Sequence, residues 1–351
     1  MDVTRRTLLQ GSAGALAAGT LAGCLDDVAR QTEGVDSGYA AFFALWDWAN
    51  AVSGDEADFE NPVDAGELGH GWEPEGDLTA DVAGTDAFVY LDSPEFSWAQ
   101  DIATTLEEDY DDVAVVDVLD GLEDNLLDWD HDADHEHEDE HDEEDDHDDE
   151  HNEEHDHDDD GHDENDDNYD PHVWVDPVLA QDLVTNIADG LSDADPDAAD
   201  VYEDNAADYN ARLEELDEQF EAVVDEADRT VAVLAGHNSY QYLEERYGFE
   251  LHAPIGVSPQ DEPNHGEISE TIDLIDEEGI DTILYDRFEA TGGDEYPNLV
   301  ETILEGSEAT DAMPVSPTEG TLEEWNDKGW GYVEQMEEIN ILAFREGLGA
   351  Q

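Results

Sequence analysis

Basic residues are the first thing this sequence lacks. Nine lysines and arginines stand against 102 aspartates and glutamates, and Lys328 is the only lysine. The formal net charge of -93 argues against nucleic acid as a partner, because its phosphates would be repelled. Cysteine is nearly absent too: Cys24 stands alone, so no intramolecular disulfide can form. The chain is not poor in apolar residues, however. They make up 38%, with eight Trp and twelve Tyr, more than an intrinsically disordered acidic chain carries.

The charge is not confined to one tail. Leaving out the 26 acids between Asp130 and Asp170 still leaves a net charge near -67. A fold with such a surface repels itself in dilute buffer, whereas molar salt shortens the Debye length to about 3 Å. This is the proteome style of an extreme halophile, and it predicts cooperative folding in multimolar salt.

The context of Cys24 explains its presence. "TRRTLLQ" carries the twin arginine Arg5-Arg6, a small apolar run follows, and "LAGC" ends it at Cys24. The segment is too short to span a membrane and reads as a twin-arginine export signal with a lipobox. A buried N-terminal helix is the alternative. The export reading predicts a chain beginning at Cys24, lipid-anchored there, on the extracellular face of the cell membrane.

Beyond a tether over 25–37, the pattern alternates. Strands are expected within 39–52, 86–92, 113–118, 230–236 and 281–286. Helices are expected later in 39–52 and over 97–110, 176–191, 267–279, 297–306 and 325–345. That alternation implies an α/β fold with parallel sheets. Apolar residues from Val201 to Val224 keep a helical spacing, which predicts one long helix over 196–228. The expected organisation is therefore an N-terminal α/β lobe over 38–195, the linking helix, and a C-terminal α/β lobe over 229–351.

The first lobe is interrupted over 130–170 by acid and histidine. Nine histidines lie there: His131, His135, His137, His141, His147, His151, His155, His157 and His162. They have no fixed spacing and no apolar partners, so disorder and several weak, fast-exchanging metal sites are expected. The stretch reads as an auxiliary metal loop, a collector or sensor, with an inert acidic loop as the alternative. Five histidines lie outside it. His70, His172 and His237 sit in loops beside expected elements, where α/β sheets place ligands, although any one of them alone reads more readily as a surface residue than as a ligand. His252 and His265 read as surface residues.

Four stretches carry a resemblance. "GHGWEPEGDLTADVAGTDAFVYLDSPEFSW" begins at Gly69, "DPHVWVDPVLA" at Asp170, "GHNSYQYLEERYGFEL" at Gly236 and "GVSPQDEP" at Gly256. The chain resembles the metal-uptake solute-binding lipoproteins of ABC importers that carry zinc or manganese, from about Tyr39 to Leu348 apart from the histidine loop. The Asp-Pro-His-x-Trp-x-Asp-Pro string is the most specific of these motifs. The resemblance implies two lobes around one backbone helix, with the metal in the interlobe cleft. It also implies His70 and His172 as ligands from the first lobe and His237 from the second. A membrane permease and its ATPase are the implied partners, and a monomer is expected.

Many members add a fourth, carboxylate ligand late in the second lobe. The matching place here is "VSPTEG" (Val315 to Gly320), with Ser316 where the carboxylate would stand. The expectation is a missing fourth protein ligand, its place open to water, Asp286 or a loop histidine. Three imidazoles with one open position suit tetrahedral zinc better than manganese, which favours carboxylate oxygens. Manganese carriage and a surface metal buffer or adhesin are the alternatives. A zinc hydrolase would use the same open position, but the chain has no His-Glu-x-x-His string. Asp176 reads as a helix cap or a support for the metal ligands. Trp46, Trp72 and Trp174 read as cleft walls or as core.

Overall fold

The computed structural model describes residues 34–74, 76–128, 169–255, 263–290 and 296–350. The export signal with Cys24, the nine histidines of the acidic loop and most of the "GVSPQDEP" segment lie outside the described residues.

The first sheet contains β1 (Ser37–Ala40), β2 (Asp58–Glu60), β3 (Ala87–Tyr90) and β4 (Ala114–Asp117), in the order β2-β1-β3-β4 with every pair parallel. The crossovers carry α1 (Phe43–Ser53), α2 (Leu78–Val82) and α3 (Ser97–Asp109). In the second half, β5 (Val231–Val233) pairs with β6 (Glu250–His252), and β7 (Thr282–Asp286) pairs with β8 (Asp311–Val315), again in parallel. A parallel bridge between Leu234 and Leu284 joins the two pairs. Every residue of β3 and β7 is buried, as expected for parallel strands covered on both faces.

Between the sheets in sequence come α4 (Pro177–Ala194) and the long helix α5 (Ala199–Asp225), followed in the second half by α6 (Gln241–Tyr247), α7 (His265–Glu278) and α8 (Asn298–Gly306). With 27 residues, α5 is about 40 Å long at a 1.5 Å rise. Its buried positions are Tyr202, Ala206, Tyr209, Leu213, Leu216, Phe220 and Val223, alternating steps of four and three along one stripe. The core on that stripe takes side chains from both halves, from Val35 and Phe88 to Phe249 and Phe344.

The second sheet divides its side chains by strand alternation. Ala232, Leu234 and Leu284 face the shared core, whereas Val233, Ala235, Ile283 and Tyr285 face a smaller core with Ile275, Val300 and Ile303. One ion pair also ties the halves together. Arg246 of α6 places Nε 2.5 Å from Oδ2 of Asp176, whose Oδ1 accepts from Val178 N and Leu179 N to cap α4. Asp176 is thus the cap that one of its two readings expected.

The expected continuous helix over 325–345 is broken. Short helices at Glu323–Asn326 and Tyr332–Gln335 flank Gly329, whose φ of 71° is a left-handed conformation that a helix interior does not allow. A π-helical segment, Met336–Ile341, then leads into Leu342–Gly347. No helix among the described residues is long and apolar enough to cross a membrane.

Candidate metal centre

Parallel strands aim their carboxyl ends at one edge of a sheet, and loops from that edge converge there. His237 follows the bridge residue Leu234, Asp286 ends β7, and Glu319 lies four residues beyond β8. His70 lies in the loop after β2, and His172 opens a 3-10 turn, His172–Val175, before α4.

These elements bring the three predicted histidines together. Ring centroids are 6.1 Å apart for His70 and His172, 5.8 Å for His70 and His237, and 5.9 Å for His172 and His237. Three imidazoles around one tetrahedral zinc, with Zn–N bonds of about 2.0–2.1 Å, would hold their ring centres about 5 Å apart. The observed triangle is within about 1 Å of that spacing. His252 and His265 stand apart from it. Nε2 of His252 lies 2.9 Å from Thr271 Oγ1, which makes it half-buried rather than the surface residue expected, and His265 is exposed.

The His172 imidazole is held from behind. Asp170 Oδ1 accepts from the His172 backbone at 2.9 Å and from His172 Nδ1 at 2.7 Å. A carboxylate only accepts, so the proton sits on Nδ1 and the Nε2 lone pair is free for a metal. Trp174, fully buried, packs its ring 5.2 Å from that of His172. Trp72 lines the opening beside His70 and His237, and Trp46 donates from Nε1 to Phe59 O away from the centre.

A carboxylate that the sequence reading did not single out stands beside these histidines. Ser316 is buried in a polar knot with Gln335 and Asn340, and the carboxylate is three residues further on. Glu319 has no exposed surface, and its Oε2 lies 2.5 Å from His70 Nδ1. Its Oε1 accepts from the His70 backbone N–H. His70, His172 and Glu319 each offer a ligand atom within 4.8 Å of the others. Asp286, the acid singled out from the sequence, groups instead with His237 and Glu289.

Glu319 reaches this place because its segment docks on the first half. Phe43 N donates to Glu319 O, Gly66 N to Thr321 O, and Trp174 Nε1 to Pro317 O. Thr318, with φ of 54°, is the non-glycine residue with positive φ among those described, a strained turn that presents Glu319. Close approach also requires two glycines. A Cβ at Gly69 would lie 2.9 Å from Phe42 Cβ, and one at Gly320 would lie 2.4 Å from Glu67 O.

The electrostatics follow from this packing. Burial pulls the His70 imidazole down, but the charge and hydrogen bond of Glu319 outweigh it and push it up to about 8. Burial raises the Glu319 carboxyl, and the charge of His70 and the hydrogen bonds from it more than reverse that, holding it below its ordinary range. Burial pushes the Asp286 carboxyl up to about 6, against the opposing charge of His237 and the hydrogen bond from Phe288 N.

Known proteins resemble this chain along most of its length. The zinc-binding lipoprotein AdcA of Streptococcus pneumoniae is 28% identical over 320 residues, covering 90% of this chain and 56% of AdcA. The chain thus spans about half the length of that relative. The high-affinity zinc uptake system protein ZnuA of Bacillus subtilis is 26% identical over 307 residues, covering 88% and 86% of the two chains. Among solved structures, the Zn(II)-bound ZnuA-like domain of Streptococcus pneumoniae AdcA superposes with a TM-score of 0.66 at 24% identity, covering 90% of this chain and 99% of that domain. The metal-dependent lipoprotein YcdH of Bacillus subtilis gives 0.67 at 22% identity, covering 89% and 99%. The profile described as ZnuA, zinc-uptake complex component A, periplasmic, matches residues 39–346, and the chain belongs to that family.

Proposed function

We propose that this protein captures Zn(II) outside the cytoplasm and delivers it to the membrane permease of an ABC importer driven by an ATPase. His70, His172 and His237 ligate the ion through neutral imidazoles, and Glu319 completes the set. The observation that carries this reading is the triangle of imidazole rings 5.8–6.1 Å apart with a fully buried carboxylate against it. A buried carboxylate beside imidazoles is costly unless a cation compensates it, and three nitrogens with one oxygen suit tetrahedral zinc. The names of the relatives, zinc-binding lipoprotein and zinc uptake protein, agree with this cargo.

Glu319 occupies the position that a zinc hydrolase would leave to water, which favours capture over catalysis. Cys24 carries the lipid that holds the monomer at the extracellular face after twin-arginine export. The nine histidines of the 130–170 loop collect zinc and exchange it quickly.

Zinc titration after removal of residues 131–162 tests the assignment. One tight site should survive, with manganese bound more weakly, and His172→Ala should abolish it. Loss of all tight binding with the loop would sink the reading, because the loop would then be the site.

A further inference from the structure

A second set of ligand atoms adjoins the imidazole triangle. His237, Asp286 and Glu289 each offer one atom within 4.8 Å of the others. Asp286 is buried at the end of β7, whereas Glu289, closing the turn Arg287–Glu289, keeps 34% of its side chain exposed. Both line one cavity together with His70, Trp72 and His237. The set therefore runs from solvent at Glu289 to the interior at Asp286, and His237 is shared with the triangle.

Its charge does not balance. One imidazole carries at most one positive charge against two carboxylates, and keeping an excess negative charge buried is unfavourable. Glu319 is already paired with His70, and the nearby guanidinium of Arg287 turns away to Glu324 at 3.5 Å. The Tyr240 hydroxyl, buried and without a hydrogen-bond partner among the described residues, lies in the field of both Asp286 and Glu289. His237 Nε2 is engaged by Ser239 Oγ at 2.7 Å, which leaves Nδ1 facing Glu289 Oε1 across 3.9 Å. That gap is too long for a hydrogen bond and within about 1 Å of the spacing of two donors on one cation.

We propose that His237, Asp286 and Glu289 form an outer cation position, where a divalent metal is first held before it moves to the inner centre. The ion keeps His237 throughout and exchanges the two carboxylates for His70, His172 and Glu319. Two carboxylates and one imidazole are a harder donor set that tolerates bound water, so the incoming ion sheds its hydration in steps. This handover rests on the zinc-capture reading above.

The test is stopped-flow mixing of the full chain with zinc in molar potassium chloride, followed by tryptophan emission, since Trp174 lies against His172. Glu289→Gln should slow zinc association and release alike, each about tenfold, with equilibrium affinity held within about threefold. Asp286→Asn, whose amide oxygen can still accept from Phe288 N, should act in the same direction. Glu301→Gln on the exposed face of α8 makes the same charge change and should alter neither rate. Unchanged rates in Glu289→Gln would overturn the outer position. So would a loss of affinity as large as that of His172→Ala, which would make Glu289 an inner ligand. Tight binding that survives in His172→Ala would overturn the inner centre instead, and the handover with it.

Discussion

Glu319 and His70, 249 positions apart in the chain, meet with Oε2 2.5 Å from Nδ1, and the same carboxylate holds the His70 backbone N–H. The pair fixes both the orientation and the charge of the imidazole. Glu319→Gln keeps the shape and removes the charge, so zinc affinity should fall about 10–100-fold or more in competition with a chelator. In the metal-free variant, the His70 titration followed by NMR should fall from about 8, because burial, which pulls the imidazole down, is no longer outweighed by the Glu319 charge.

The same pair sets a pH window. His70 titrates near 8 in the folded, metal-free protein, above the 6.5 of an unfolded chain. Its contribution to stability is therefore complete below pH 6.5 and is lost as pH rises through 8. Zinc requires the proton to leave, so apparent affinity should rise over that interval and flatten above it. Calorimetry in buffers of different ionisation enthalpy should detect proton release at pH 7. Affinity that stays constant from pH 6.5 to 8 would contradict the assignment.

Tyr242 of α6 supports the His172 loop from the second half. Its hydroxyl accepts from Leu127 N at 3.1 Å and donates to Asp170 O at 2.7 Å. Tyr242→Phe leaves both backbone groups without that partner and should cost about 1–3 kcal/mol, measured by chemical denaturation of the metal-free protein. Full stability in the variant would show that water replaces the hydroxyl at no cost.

Salt should act on the whole molecule. With a net charge of -93 and nine basic residues to offset it, the metal-free protein should melt cooperatively in molar potassium chloride. Its melting temperature should fall steadily as salt is diluted toward 0.1 M, where the Debye length is about 10 Å. Equal stability at both salt levels would refute the screening argument.

Local chemistry made much of the fold legible. The apolar stripe from Tyr202 to Val223 needs only a helical period to be read, and α5 lies within the expected 196–228. Asp176-Pro177 carries its own start signal for α4, and 282–286 follows from a short apolar run. What failed was punctuation and short strands. The final helix breaks at Gly329, and β2, β6 and β8 are three to five residues long, too short to show a period.

The sequence by itself determined the surface charge, the long helix, the parallel α/β alternation and three histidines in loops, because each rests on residue type or near-neighbour spacing. Only the tertiary structure decided which acid joins those histidines. Among 102 acidic residues an isolated glutamate carries no signal, and Ser316 drew attention away from it. Glu319 is singled out by the docking of 316–321 on Phe43, Gly66 and Trp174, long-range contacts that burial and backbone hydrogen bonding select and local sequence does not encode.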